Sequence, residues 1–308
     1  MKIQVDSSKI LASQTIYKYM TPYLEKYQCK NIGDLFCGTG EMSKILFPNY
    51  SLIMNDHMYH SCLITESQLI YYPEIKKRIE ILNQVVPVDG MISKKFTNGF
   101  LSMDNARKID AMRIQIEEWY MNYEISRLQY TKLMGVFLFC MDYYLNHLNP
   151  TLEEDEIPEF KIQNLFDVDQ IPRNYYVFAN EDILKLNLES IIEKINFRMD
   201  HHNKIELDSV YLNLVHQRSK FSYLLETVAR YDDSQIKEEI FNKNRMKEIA
   251  KKLENVPLIF IRYNGGLKDM KIARVFEDLG RKVEVIKIDL GRKRNQKSMI
   301  DEFLLVVE

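Results

Sequence analysis

The sequence predicts an α/β fold: a mostly parallel sheet covered by helices on both faces and interrupted by a helical insertion. Three observations predict it. A strand, a glycine turn, a helix, a second strand and an acidic residue follow one another between Asn31 and Asp56, which is how a nucleotide-binding α/β unit begins. Strand and helix alternate again after residue 171, and repeated alternation calls for parallel strands joined by crossover helices. Between them lie roughly a hundred residues with helical periodicity, enough for a domain.

Taken in order, residues 9–27 read as a helix leading into the short apolar strand Asn31–Phe36. Cys37-Gly38-Thr39-Gly40 is a glycine turn, Glu41–Phe47 a helix, and Ser51–Met54 a strand ending at Asn55-Asp56. Residues 59–85 read as helical. Within Asp104–Tyr120, the residues Ile109, Met112, Ile116 and Trp119 recur at spacings of three, four and three. That is one face of a helix, with Asp104 placed to cap it. Ser126–Leu148 reads as a partner helix, and its apolar run Leu133–Met141 as a buried segment, too short to span a bilayer. Strands follow at Tyr175–Ala179, Asp208–Asn213 and Leu258–Tyr263, with helices at Asp182–Ile195, Ser222–Ala229, Gln235–Leu253 and Lys268–Leu279. Val283–Ile288 and Glu302–Val307 close the chain as an expected antiparallel pair. This reading gives a sheet domain over 1–67 and 171–308 and a mainly helical insertion over 68–170.

Hydrophobic residues make up 46% and charged residues 28% of the chain, a soluble globular balance. MKIQVDSSK lacks the apolar stretch of a signal peptide, so a cytoplasmic protein without a membrane partner is expected. Cys29, Cys37, Cys62 and Cys140 include no CxxC spacing, and His201 and His202 are adjacent, a poor arrangement for chelation. No metal site is expected. A net charge of −2 excludes a globally basic nucleic-acid binder. Basic charge gathers instead near the C-terminus, in Arg281, Lys282, Arg292, Lys293, Arg294 and Lys297, while Glu153, Glu154, Asp155, Glu156 and Glu159 read as a solvated acidic stretch. Tyr71-Tyr72, Trp119-Tyr120 and Tyr143-Tyr144 lie in or beside the insertion, where core packing is the commoner role and stacking on bases the alternative.

The first chemical signal is Asp34-Leu35-Phe36-Cys37-Gly38-Thr39-Gly40. Glycines at a first strand–helix turn let the backbone approach a ligand closely, and the helix N-terminus behind them favours polar or anionic groups. Asp56, sixteen residues after Gly40 at the end of the second strand, is placed to accept hydrogen bonds from ribose hydroxyls.

This stretch resembles the FxGxG motif of amino-methyltransferases, whose glycines pass under the methionine portion of S-adenosylmethionine (AdoMet). The resemblance covers most of the chain. Ser8-Lys9-Ile10-Leu11 is similar to a GSK-type segment that precedes the first strand, with Ser7 in place of its glycine. Asn55-Asp56-His57-Met58-Tyr59 is similar to an ND segment, and FTNGFLSMDNARKIDAMRIQIEEWY to a helical segment of pattern FT…NA.KID..R..IEEW. VYLNLVHQRSKFSYLLETVARYD resembles a catalytic loop with its following helix, and Ile261-Arg262-Tyr263-Asn264 with Gly266-Leu267 an SYN..GL strand end. By these motifs the chain resembles the adenine-specific DNA methyltransferases of restriction–modification systems. The resemblance implies a Rossmann-like AdoMet-dependent methyltransferase fold with AdoMet as cofactor. It implies cofactor-binding roles for Lys9, Asp34, Phe36, Cys37, Gly38, Thr39, Gly40, Asp56 and Asp182, the last at the adenine ring. It further implies double-stranded DNA as partner, with Arg292, Lys293 and Arg294 at the phosphate backbone.

One motif departs from the family. Where relatives carry Asp-Pro-Pro-Tyr or a close variant, this chain reads Asn213-Leu214-Val215-His216, and it contains no Pro-Pro anywhere. The exocyclic amine of adenine is a poor nucleophile, because its lone pair is delocalised into the ring. In the family the base is flipped out, and a side-chain oxygen and a loop carbonyl accept the amine's hydrogens. The prolines preorganise those acceptors, and the aromatic residue stacks on the base. Asn213 retains an oxygen and His216 a ring, but Leu214 and Val215 lose the fixed geometry. An ANT…YGA stretch is also not recognisable around Asp142, Tyr143 and Asn146. The expectation is a divergent member that binds AdoMet and DNA and is impaired in catalysis by itself, acting beside a second methyltransferase or a restriction subunit. An active enzyme with an unorthodox loop and a non-enzymatic binding module are the alternatives.

Overall fold

The computed structural model describes residues 7–97, 101–149, 156–164, 174–198, 206–214, 221–232, 243–264, 270–289 and 302–308. In chain order the elements are α1 (Ser7–Lys26), β1 (Asn31–Asp34), α2 (Glu41–Leu46), β2 (Ser51–Asn55), α3 (Tyr59–Ser67), α4 (Ile75–Asn83), α5 (Met91–Lys95), α6 (Met103–Met121) and α7 (Arg127–His147). There follow β3 (Tyr176–Ala179), α8 (Leu188–Arg198), β4 (Ser209–Asn213), α9 (Ser222–Arg230), α10 (Lys243–Lys252), β5 (Leu258–Asn264), α11 (Met270–Glu277), β6 (Val283–Ile288) and β7 (Glu302–Val307). The described residues within Met58–Pro172 and Gln217–Lys237 form one compact unit, which is helical. Those within Asp6–His57, Arg173–His216 and Glu238–Glu308 form the other, which holds the sheet.

In the sheet unit the strand order is β3-β2-β1-β4-β5-β7-β6. β1 pairs in parallel with β2 on one side and β4 on the other. The chain therefore steps outward in one direction to β3 and in the other to β5. In an open α/β sheet, ligands bind beyond the carboxyl ends of the strands at this reversal. Central strands read as continuous apolar runs because both faces are covered: Leu258, Ile259, Phe260 and Ile261 of β5 are all fully buried. β7 runs antiparallel between β5 and β6, as expected from the sequence, with Leu305 opposite both Ile261 and Val285.

Several boundaries differ from the sequence reading for local reasons. β1 stops at Asp34, since Leu35 and Phe36 already belong to the turn. The helical reading of 59–85 divides into α3 and α4, with Pro73 in the break; proline lacks the N–H that a continuous helix would use there. α6 is capped by Ser102, whose Oγ accepts from the Asn105 amide at 3.3 Å, and Asp104 lies within the first turn. α8 starts six residues after Asp182. The Asp182 carboxylate instead accepts from the Leu184 amide (2.9 Å), while the Asn187 side chain accepts from Ser190 N (2.9 Å), the cap geometry of a helix beginning at Leu188. The expected starts at Gln235 and Lys268 lie outside the described residues.

The helical unit is built on the apolar face read from sequence. Ile109, Met112, Ile116 and Trp119 of α6 share a core with Leu133, Met134 and Phe137 of α7. Tyr72 and Tyr144 are buried in the same core, whereas Tyr71 is exposed. Phe221, Leu224, Leu225, Val228 and Ala229, which the sequence reading assigned to the sheet domain, also pack here. The unit begins at Met58 rather than at residue 68. Polar pins fix it. Asn105 donates to Tyr144 Oη (2.9 Å) and Pro158 O (3.1 Å) and accepts from Phe160 N (2.7 Å). Asp110 accepts from Ile92 N and Ser93 N at the start of α5 and from the Tyr231 hydroxyl. Buried Lys132 donates to Ser67 O (2.8 Å) at the end of α3, where a cation meets the negative end of the helix dipole. Among the described residues no helix is long and apolar enough to cross a membrane.

Candidate cofactor site

The site assembles at the carboxyl ends of β1, β2, β3 and β4, all within the sheet unit. After β1 the chain turns sharply. Leu35 N donates to Tyr211 O (3.2 Å) and Cys37 N to Asn55 O (3.1 Å), holding the turn to both neighbouring strands. Gly38 and Gly40 then take φ of +54° and +81°, a region where a side chain would crowd the backbone. Gly40 N closes the turn on Cys37 O (2.9 Å), and Lys44 N bonds to Gly40 O as α2 begins. An added Cβ at Gly38 would meet nothing within 4 Å. Open space therefore lies directly over the turn.

Asp56 closes the other side. Its Oδ2 accepts the Gly38 amide at 3.0 Å, joining the acidic residue after β2 to the glycine turn after β1. Two side chains that sequence reasoning left out of the site extend this network. Asn55 donates to Leu35 O (3.3 Å) and Glu181 O (3.0 Å) and accepts from Glu181 N (3.1 Å), bridging β1, β2 and the end of β3. Asn180 donates to Asp56 O at 2.8 Å. The signal was available, since both stand at strand ends, Asn55 in the ND segment and Asn180 two residues before Asp182. Their long-range partners were not.

Asp34 occupies a different place from the one a ligand-contacting carboxylate would take. It is fully buried and accepts the Ser43 hydroxyl at 2.6 Å through Oδ2, while among the described residues Oδ1 has no hydrogen-bond partner. Burial, opposed by the Ser43 bond and reinforced by the charges of Asp56 and Glu41, pushes its carboxyl up to about 7. Asp34 thus holds the first turn of α2 from behind. Phe36, Cys37 and Gly40 are buried, and Gly38 and Thr39 are half-buried, with Thr39 Oγ1 bonded to Glu41 (2.7 Å). Asp182 lies beyond β3 in an ion pair with Arg245 (3.0 Å). Burial would raise its carboxyl, but the Leu184 amide and the Arg245 guanidinium outweigh it and hold it below the ordinary range. Lys9 lies in α1, its side chain outside the described residues.

Asn213 ends β4 opposite Arg262 of β5. The Leu214 amide continues the ladder, donating to Arg262 O at 2.8 Å. Arg262 is held through Nε (3.0 Å) and Nη2 (2.6 Å) by Glu302 on β7. Val215, His216, Arg292, Lys293 and Arg294 lie outside the described residues. No group of three or more His, Cys, Asp or Glu side chains able to hold a metal is found among the described residues.

The residues present fit an adenosyl cofactor. A glycine turn with open space above it admits close backbone approach, and carboxylates beyond β2 and β3 are acceptors suited to ribose hydroxyls and an exocyclic amine.

No protein-family model matches the chain. It is similar to the modification methylase LlaI of Lactococcus lactis subsp. lactis, at 25% identity over 228 residues, 68% of this chain and 36% of that protein. It is also similar to the type II methyltransferase M.NlaIII of Neisseria lactamica, at 24% identity over 304 residues, 86% of this chain and 84% of that protein. The chain thus spans about a third of the first relative and most of the second. Among solved structures it matches magnesium protoporphyrin IX methyltransferase from Synechocystis, with TM-score 0.37 and 7% identity over 100% of this chain and 86% of that one.

Proposed function

We propose that the chain is a divergent modification methyltransferase of the restriction–modification kind, one that binds AdoMet and double-stranded DNA while being impaired, by itself, in methylating adenine. The sheet unit is the cofactor-binding part, and the helical unit supplies contacts to DNA or to a partner subunit. The companion is a second methyltransferase or a restriction subunit that completes the activity.

AdoMet, when bound, supplies an electrophilic methyl group on a sulfonium. The chain's own residues must place the acceptor amine against it. Gly38 and Gly40 admit the cofactor's approach, and Asp56, tethered to the Gly38 amide, accepts its ribose hydroxyls. Asp182 stands on the adenine side. Asn213 retains a side-chain oxygen that can accept one hydrogen of a flipped target amine, which raises electron density on the nitrogen.

The observation that carries the impaired reading is the Leu214 amide. It is bonded into the β4–β5 ladder at 2.8 Å from Arg262 O. Proline, the family residue at this position, has no N–H and could not make that bond. The segment leaving Asn213 is therefore held by a tie that a Pro-Pro loop cannot have. A misplacement of about 1 Å at a reacting group costs on the order of a hundredfold in rate.

Labelled methyl transfer from AdoMet to adenine-containing DNA tests this, with the natural protein beside the Leu214→Pro/Val215→Pro/His216→Tyr variant. Slow or absent transfer by the natural protein and gain by the variant supports the proposal. Enzyme-like transfer by the natural protein refutes impairment and makes Asn-Leu-Val-His a working motif. AdoMet and DNA binding without transfer by either protein points to the partner subunit. Failure to bind either ligand refutes the reading altogether.

A further inference from the structure

Asp182 stands in a turn that is tied from several directions, all within the sheet unit. The turn closes on itself: Lys185 N and Leu186 N donate to Asp182 O at 2.8 and 3.0 Å, and Leu184 N donates to Asp182 Oδ1 at 2.9 Å. An aspartate that accepts the amide two residues on sets a tight local turn. On the sheet side, the Asn55 side chain bonds both backbone groups of the preceding Glu181. From α10, two cations reach the same turn. Lys252 Nζ donates to Leu184 O at 3.0 Å, and Arg245 Nη2 donates to Asp182 Oδ1 at 3.0 Å. Residues seven apart share one face of a helix, so one face of α10 grips the turn at both places. Met246, Ile249 and Leu253 seat that helix in the core that also holds Ile183 and Leu186.

The Asn55 and Lys252 bonds fix backbone. Those from Leu184 N and Arg245 fix the carboxylate, and both fall on Oδ1, while among the described residues no donor meets Oδ2. A single amide bond leaves a carboxylate room to turn, because the last torsion of aspartate is broad. A second donor on the same oxygen, arriving from another element, decides which oxygen is occupied. The Arg245 bond is charge-assisted and both partners are half-buried, so it is stronger and less screened than a surface pair. An ionised carboxylate only accepts: its remaining oxygen bonds an amine and repels a carbonyl. We propose that Arg245 is a positioning residue for recognition of the cofactor's base: by occupying Oδ1 of Asp182 it reserves Oδ2 for the exocyclic amine of adenine, and so selects an adenosyl ligand over one with a carbonyl in that place. The proposal rests on the AdoMet-binding reading above. It assigns Arg245 no contact with the cofactor.

The test measures two affinities by equilibrium dialysis. One ligand is S-adenosylhomocysteine, which keeps the adenosyl part of AdoMet. The other is its deaminated counterpart, S-inosylhomocysteine, which carries a carbonyl where adenine has its amine. The natural protein is run beside Arg245→Met and Lys252→Met, with a thermal midpoint for each. The natural protein should prefer the adenosyl ligand by about a hundredfold or more, since a site built to accept from an N–H rejects a ligand without one. Arg245→Met should weaken the adenosyl ligand about tenfold, as the competent orientation of Asp182 becomes one of several, and leave the inosyl ligand within about twofold. Lys252 ties the same turn without touching the carboxylate, so Lys252→Met should move both ligands together and keep their ratio within about twofold. Equal weakening of both ligands in Arg245→Met, or an equal fall of the ratio in Lys252→Met, marks a tie that only supports the turn and overturns the proposal. Should Arg245→Met not fold, Arg245→Gln, too short to span the same gap, takes its place and must show the same selective loss. Adenosyl binding by the natural protein without preference over the inosyl ligand leaves the cofactor reading standing and overturns this one. If the natural protein binds neither ligand, the cofactor reading fails first and the positioning role falls with it.

Discussion

Replacing Asp34 by Asn should shift stability in a pH-dependent way, gaining on the natural protein as pH rises, and the dependence can be worked from its surroundings. The carboxylate is fully buried and bonded to the Ser43 hydroxyl at 2.6 Å through Oδ2, while among the described residues Oδ1 meets no hydrogen-bond partner. Its carboxyl is pushed from an ordinary 3.8 up to about 7. The folded state therefore holds its proton more tightly than the unfolded chain does. Below pH 3.8 both states are protonated and nothing is lost. Between 3.8 and about 7 the unfolded chain releases its proton first, so stability falls as pH rises, and above 7 the full penalty applies. At about 1.4 kcal/mol per pH unit, the penalty approaches about 4 kcal/mol at pH 8 and is roughly 1.5 kcal/mol at pH 5. Asn cannot titrate, but its amide can still accept the Ser43 hydrogen bond. Its NH2 then faces the position of Oδ1 without a partner, costing about 1–3 kcal/mol. That cost is independent of pH and cancels when two pH values are compared. Urea unfolding followed by far-UV circular dichroism at pH 5 and pH 8 should show the variant gaining roughly 2.5 kcal/mol on the natural protein between them. A gap that stays constant from pH 5 to pH 8 refutes the account of Asp34 as a buried, weakly satisfied carboxylate.

Two further substitutions separate packing from ligand approach. Gly135→Ala places a Cβ 2.2 Å from Leu63 O and 2.3 Å from the Ser67 Cβ, so α3 and α7 must move apart. It should cost about 1–3 kcal/mol or more in unfolding free energy by urea titration, with Trp119 emission reporting the loss. Gly38→Ala meets no neighbour within 4 Å but inherits φ +54°. It should cost only about 1–2 kcal/mol of stability while AdoMet binding by equilibrium dialysis falls by at least about tenfold, because the new methyl stands where the cofactor approaches.

The sequence alone determined what depends on neighbours along the chain. The spacing of Ile109, Met112, Ile116 and Trp119 placed α6, since helical periodicity is a local property. The run from Asn31 to Asp56 gave strand, turn, helix, strand and acid in order, and both glycines of that turn adopt the positive φ that only glycine takes readily. The tetrapeptide at 213–216 was legible as a departure because its residue types, not its geometry, differ. What required the tertiary structure was everything decided by partners far away in sequence. The strand order with β1 between β2 and β4 rests on long-range pairing. The packing of Phe221, Leu224 and Leu225 into the helical core rather than against the sheet depends on which apolar surface their helix meets. Asp34 looked like a ligand carboxylate until its burial behind Ser43 was seen, because one motif letter does not say on which side of a turn a side chain ends. Asn55, Asn180 and Arg245 are unremarkable as letters. Their hydrogen bonds span roughly 60 to 130 residues of chain, and a bond of that reach leaves no periodicity to read, because it is fixed only once both segments have folded.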